Sequence, residues 1–261
     1  MRRWLAGIAL LPGLVMAQGG SSCAEGIEDA LRDLNPKAQI QGDVVASDCK
    51  AWPPANGRQT AAVMAFEQDG KTDRQRRWVI VLALLDSKTQ RVLHSRRTER
   101  EEDATTTISE LSLALDTARF QVKPGLRALG MRFRSAANQP SAAEAWWGNE
   151  LMLFVPEGRM LRPVFGSPMT AQQADNCCLS RSYPGATWDN ADMTLAIGPL
   201  SPSGWNDIVI TETLTRDGNE PAKIDATPRR RQYTYRYDGK AYRLLANPAP
   251  FWDGYCCTLS W

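Results

Sequence analysis

Histidine is almost missing from this chain: its 261 residues include one, His94. A Ser-His-Asp arrangement would have to be assembled around that residue, and no Gly-x-Ser-x-Gly elbow supplies the nucleophile. His94 lies in the strand-like Val92-Leu93-His94-Ser95 and reads as a half-buried structural side chain. The same shortage excludes the two- and three-histidine zinc sites of metalloenzymes. Asp189-Asn190-Ala191-Asp192 lacks the spacing, the glycine and the closing glutamate of a calcium loop, and Asp217-Gly218-Asn219-Glu220 reads as a turn. No cofactor or metal is therefore expected, and catalytic residues are assigned to none.

Charge of either sign is also not in excess. There are 31 basic and 29 acidic residues, so nothing points to nucleic acid or an acidic membrane surface. Beyond the first residues no apolar run approaches the ~18 positions of a membrane-spanning helix.

The start of the chain has the features of an export signal. Arg2 and Arg3 precede the apolar Trp4-Leu5-Ala6-Gly7-Ile8-Ala9-Leu10-Leu11, and Val15-Met16-Ala17 supplies a small-residue cleavage site. Residues 1–17 are thus expected to be a signal peptide, the mature chain to begin at Gln18, and the protein to be periplasmic or secreted. Removing the signal brings the basic residues to parity with the acidic ones. All six cysteines follow the cut: Cys23, Cys49, Cys177, Cys178, Cys256 and Cys257. An even number in an oxidising compartment favours three disulfides. Lipidation of Cys23 is the alternative, but Gly20-Ser21-Ser22 lacks the apolar residue such signals carry, and five cysteines would be left to pair.

Cys177-Cys178 and Cys256-Cys257 are natural mutual partners, because adjacent residues on a strand point to opposite faces and two paired strands could carry one bridge on each. A ring between neighbouring cysteines is the strained alternative. Cys23 then pairs with Cys49 and staples a helix to a strand.

That helix is expected over Ala24 to Leu34, with Ile27, Leu31 and Leu34 on one face and Asn35-Pro36 ending it. From Arg58 the period becomes that of strands. Gln59 to Glu67, the continuous apolar run Arg77 to Leu85 and Gln90 to Arg97 read as a meander whose central strand is buried on both faces. Arg96 to Asp103, dense in both charges, reads as a solvated loop. Leu111, Leu113 and Leu115, and then Leu129, Met131 and Phe133, alternate with polar or small residues. After a break at Ser135 to Ala143, Glu150 to Val155 and Met160 to Phe165 form a hairpin.

Gly166 to Gly185 is poorer in apolar residues and is the expected boundary, giving β-rich regions 18–165 and 166–261 packed as one unit. Met193 to Ile197 and Asp207 to Thr215 follow as strands, and Tyr233 to Tyr237 turns at Asp238-Gly239 into Lys240 to Leu244. Tyr233, Tyr235 and Tyr237 share one face and are expected to pack. The fold class is mostly β (all-β or β-rich α+β): an antiparallel meander or sandwich with one short N-terminal helix, stapled by disulfides.

Tyr235-Arg236-Tyr237-Asp238-Gly239-Lys240-Ala241-Tyr242, with the upstream Gly204-Trp205-Asn206-Asp207-Ile208-Val209-Ile210, resembles the end of a group of uncharacterised exported proteins of Gram-negative bacteria. The resemblance covers about 40 residues. It implies an envelope location and a β fold and transfers no catalytic residue.

Tryptophan is plentiful, with nine in the chain, and large flat side chains serve as anchors in interfaces and as platforms for sugars. In an extended Trp146-Trp147 one ring faces the core and the other faces out, with Gly148 leaving the outer ring approachable. Trp205 sits in the turn-like Ser203-Gly204-Trp205-Asn206. These three are the candidate binding residues. The function expected is that of an exported, non-enzymatic binding protein with a protein partner in the cell envelope. An immunity protein or inhibitor that occludes an envelope-targeting toxin or hydrolase fits that description. A secreted hydrolase or a glycan-binding module is the alternative.

Overall fold

The computed structural model describes residues 23–34, 40, 42–68, 76–103, 105–137, 145–175, 185–220, 224–225, 227–245 and 248–253. The expected signal peptide and Cys177, Cys178, Cys256 and Cys257 lie outside them.

The elements run α1 (Ile27–Arg32), β1 (Val44–Ala51), β2 (Gln59–Gln68), β3 (Arg77–Asp86), β4 (Val92–Glu101), β5 (Leu113–Asp116), β6 (Gln121–Lys123), β7 (Leu126–Arg127) and β8 (Leu129–Phe133). They continue with β9 (Ala145–Gly148), β10 (Glu150–Glu157), β11 (Met160–Ser167), β12 (Thr170–Ala174), β13 (Thr187–Leu200), β14 (Asn206–Gly218), β15 (Arg229–Tyr237) and β16 (Tyr242–Leu244). The chain is β-rich, as its alternating patterns predict.

Eight strands form one sheet in the order β1-β2-β3-β4-β11-β10-β8-β5. Its inner face carries Ala46, Val63, Ile80, Leu82, Leu115, Met131, Phe154 and Leu161 in a single buried cluster. Residues from both ends of the strand order meet in that cluster, so the sheet curls toward a barrel. The seam between β1 and β5 is closed by side chains. The Leu115 N–H donates to the Asp48 carboxylate at 2.7 Å, and the Lys50 ammonium donates to the Leu115 carbonyl at 2.6 Å. Two edge groups that would otherwise invite another strand are thereby satisfied.

β2 and β3 are apolar on both faces because both are covered. Ala62, Met64, Phe66, Val79, Val81, Ala83 and Leu85 point outward beneath Ile27 and Leu31 of α1. The Cys23–Cys49 disulfide ties α1 to β1, with Cα atoms 5.2 Å apart. The helix is shorter than its periodicity predicts, because Gly26 stands at its start in the left-handed conformation, φ 87°.

The run Arg96 to Asp103 is not a loop: β4 continues to Glu101. β3 supplies the backbone ladder, and cross-strand charges settle the outer side. There Arg97 meets Glu99 at 2.9 Å, and Arg77 lies near Glu99 and Glu101. Gln90 belongs to the preceding turn and not to the strand, with φ 56°.

The second sheet has the order β16-β15-β14-β13-β12-β9. It is joined to the first by one long hairpin bent across both. β10 pairs with β11 in the first sheet, with Leu151 opposite Ser167. Three residues further out, Gly148 stands opposite Thr170 in the second. Asn149 turns the inner corner with φ 50°, and Pro168 and Met169 turn the outer one. A core lies between the sheets. Leu151, Leu153, Val155 and Phe165 of the hairpin meet Ile208, Ile210, Tyr233, Tyr235 and Tyr242, with Phe120 and Val122 of the β6–β7 ribbon at its side.

Tyrosines make this second core partly polar, and each hydroxyl finds a partner. Tyr233 donates to Glu212 at 3.2 Å, Tyr235 to Asp253 at 3.0 Å and Tyr242 to the Asn206 carbonyl at 2.7 Å. Trp252, 1% exposed, donates its indole N–H to Glu212 at 2.7 Å. Burial raises the pKa values of Tyr233, Tyr235 and Tyr242, with the carboxylates of Glu212, Asp253 and Asp207 adding to the respective shifts.

Candidate binding face

Among the described residues the two large sheets have four edges, and they are finished differently. β1 and β5 seal each other through Asp48 and Lys50. β16 is three residues long and carries the exposed Arg243, which pairs with Asp238 at 3.2 Å. Short length and charge both discourage further strand pairing. The remaining edge, β9, is Ala-Trp-Trp-Gly. It has no charge and no proline, and among the described residues no strand lies beyond it.

Extended backbone sends the two tryptophans of β9 to opposite faces. Trp147 stands opposite Ala171 and packs into the core between the sheets. Trp146 stands opposite Gln172 on the outer face and remains 37% exposed. Its ring folds back along the strand onto Gly148, where an added Cβ would sit 2.7 Å from the ring and 3.5 Å from Thr170 Oγ1. A side chain at 148 would lift the ring, so Gly148 holds it flat with one face open.

The same outer face continues into a polar sheet surface. Gln172 stands opposite Asn190, and its amide donates to the Asn190 side-chain oxygen at 2.5 Å. Asn190 pairs with Thr215, Asp192 with Thr213 and Thr194 with Thr211, and Gln232 donates to Thr211 Oγ1 at 3.2 Å. Trp146 is the large apolar group at the border of this field of amides and hydroxyls. Cross-strand pairing of distant segments creates that neighbourhood, and no local pattern announces it.

Trp205 is not part of it. Its ring stacks on Tyr237 at 3.9 Å and 16° and meets Tyr242 edge-on at 6.3 Å. It caps the core near the Leu200–Asn206 end of β13 and β14, about 30 Å along the strands from the Asn190 row at ~3.3 Å per residue.

His94 holds a turn, its Nδ1–H donating to the Gly158 carbonyl at 2.9 Å. Cys23 and Cys49 are bonded to each other. Among the described residues no group of three or more His, Cys, Asp or Glu is placed to hold a metal, and no helix is long and apolar enough to cross a membrane. Comparison with protein-family models, with curated proteins and with solved structures finds no match.

Proposed function

We propose that this chain is an exported, non-enzymatic binding protein of the bacterial envelope, and that its protein partner docks on the β9 edge with Trp146 as anchor. The observation that carries the reading is the contrast among these edges: two seal each other and one ends in a charged three-residue strand, whereas β9 is uncharged, has no strand beyond it among the described residues and is bordered by a flat, half-open tryptophan. A partner strand added there would gain main-chain hydrogen bonds and bury the indole. Occlusion of an envelope-targeting toxin or hydrolase, as by an immunity protein or inhibitor, is the biological setting proposed. The leader-like first residues and the Cys23–Cys49 disulfide support an oxidising compartment.

The test compares the mature protein with Trp146→Lys, which puts a charge on the edge. Affinity capture from envelope extract should recover one protein that Trp146→Lys loses by at least tenfold. Adding that protein should slow amide exchange across β9. Protection elsewhere with β9 unchanged overturns the reading. A glycan is the second possibility, favoured by the amide pair Gln172–Asn190 beside the open indole face. Quenching of Trp146 fluorescence by peptidoglycan fragments, in the absence of any protein partner, would select it.

A further inference from the structure

The inner wall of the eight-stranded sheet is apolar apart from Asp48, Glu150 and a longer polar row along β4. Register with β3 sets Leu84 opposite His94, Leu82 opposite Arg96, Ile80 opposite Thr98 and Trp78 opposite Arg100. Directly opposed residues share a face, and Trp78, Ile80, Leu82 and Leu84 all line the interior. His94, Arg96, Thr98 and Arg100 therefore form an inward-facing polar row. On the other flank of this row the sheet is split. β4 meets β11 through one parallel bridge, Ser95 with Met160, whereas β3 and β4 pair along their length.

Two donors on this wall, one on the row and one on β3 beside it, lack an acceptor among the described residues. The indole N–H of Trp78, a residue 1% exposed, has no hydrogen-bond partner among the described residues, and neither has the buried Nε–H of Arg96. An unsatisfied buried donor costs about 1–3 kcal/mol, and more when charged, so two on one wall require an explanation. The charges are also unequal. Glu150, 2% exposed, alternates with core-facing Leu151 and so faces the interior, where its charge acts on Arg100. Arg96 forms no ion pair among the described residues, leaving one cation in excess.

We propose that this row is an oxyanion-binding site, entered at the split between β4 and β11, in which the Arg96 guanidinium holds a carboxylate or phosphate group and the Trp78 N–H donates to the same ligand. Guanidinium forks suit such planar or tetrahedral oxyanions, and Thr98 between the two donors offers a hydroxyl. The site is separate from the β9 edge and does not depend on how that edge is used.

Titration calorimetry and indole N–H spectra of the mature protein test it, with inorganic phosphate, acetate and decanoate as probes against chloride at equal ionic strength. At least one oxyanion should bind with one-to-one stoichiometry and shift a single indole N–H resonance, the one absent in Trp78→Phe. Arg96→Gln should weaken binding at least tenfold, and Arg96→Lys less. Response to phosphate alone identifies a free-phosphate or phosphate-ester ligand, and response to decanoate alone a carboxylate with an apolar body. Probes indistinguishable from chloride, or equal binding by a folded Arg96→Gln, overturn the proposal.

Discussion

The two sheets of this protein solve the same problem with different materials. The eight-stranded sheet encloses an apolar core without tyrosine and closes its own edges with Asp48 and Lys50. The six-stranded sheet covers its core with tyrosines whose hydroxyls must be answered by Glu212, Asp253 and a backbone carbonyl. The first depends on volume and the second on hydrogen-bond geometry. A core of the second kind fails when a partner is removed or ionised, because a buried polar group is then left unpaired.

The largest effect should follow from truncation before Phe251. It removes Trp252 and Asp253, and with them the partners of Glu212 and Tyr235. A loss of roughly 3–5 kcal/mol or more is expected, with amide exchange accelerating first in β14 and β15. Equal acceleration in β2 and β3 would show that the sheets unfold as one. Phe154→Ala makes the opposite cut, deleting an unexposed ring from the apolar interior of the eight-stranded sheet. It should cost about 3–5 kcal/mol in chemical denaturation.

Replacing Cys23 and Cys49 together by serine opens a loop whose closure contributes about 3.5 kcal/mol in the loop-entropy model. It should loosen α1 before either sheet. Asp48→Ala leaves the Leu115 N–H unanswered at the seam and should cost about 1–3 kcal/mol. It should also raise self-association, which light scattering would detect, because the seam then offers a free edge.

Alkali should separate the sheets by chemistry alone. All six tyrosines lie at or after Tyr183, so the eight-stranded sheet has none. Tyr233, Tyr235 and Tyr242 have raised pKa values in the fold. Their stabilising contribution is complete below the unfolded value near 10 and is lost as pH rises above it. Exchange in β15 and β16 should therefore rise above pH ~10 while β2 and β3 remain protected. Tyrosinate absorbance appearing with the ordinary midpoint and no loss of structure would contradict this.

Several features were legible in the residues themselves. Tyr233, Tyr235 and Tyr237 at period two, followed by Asp238-Gly239, announce a hairpin with one packed face, and all three rings are buried. The unbroken apolar run of β3 predicts a strand covered on both sides, and it is. Such signals are local: a period and a turn residue lie within ten positions. The charged half of β4 was misread because composition outweighed alternation. Its strand character comes from pairing with β3, and a polar residue tolerates an inner wall when a split or a ligand can meet it.

Alternation alone placed Trp146 and Trp147 on opposite faces, as any extended pair must be. That β9 would join β12, that its ring would lie on Gly148 and that Gln172 and Asn190 would stand beside it required strands from three parts of the chain to assemble. The residues determined a β-rich chain with a Cys23–Cys49 staple and an amphipathic helix. Tertiary structure alone decided which edge, among the described residues, has no strand beyond it and which buried guanidinium has no ion pair there, because edge position and charge balance are properties of neighbours brought together by folding.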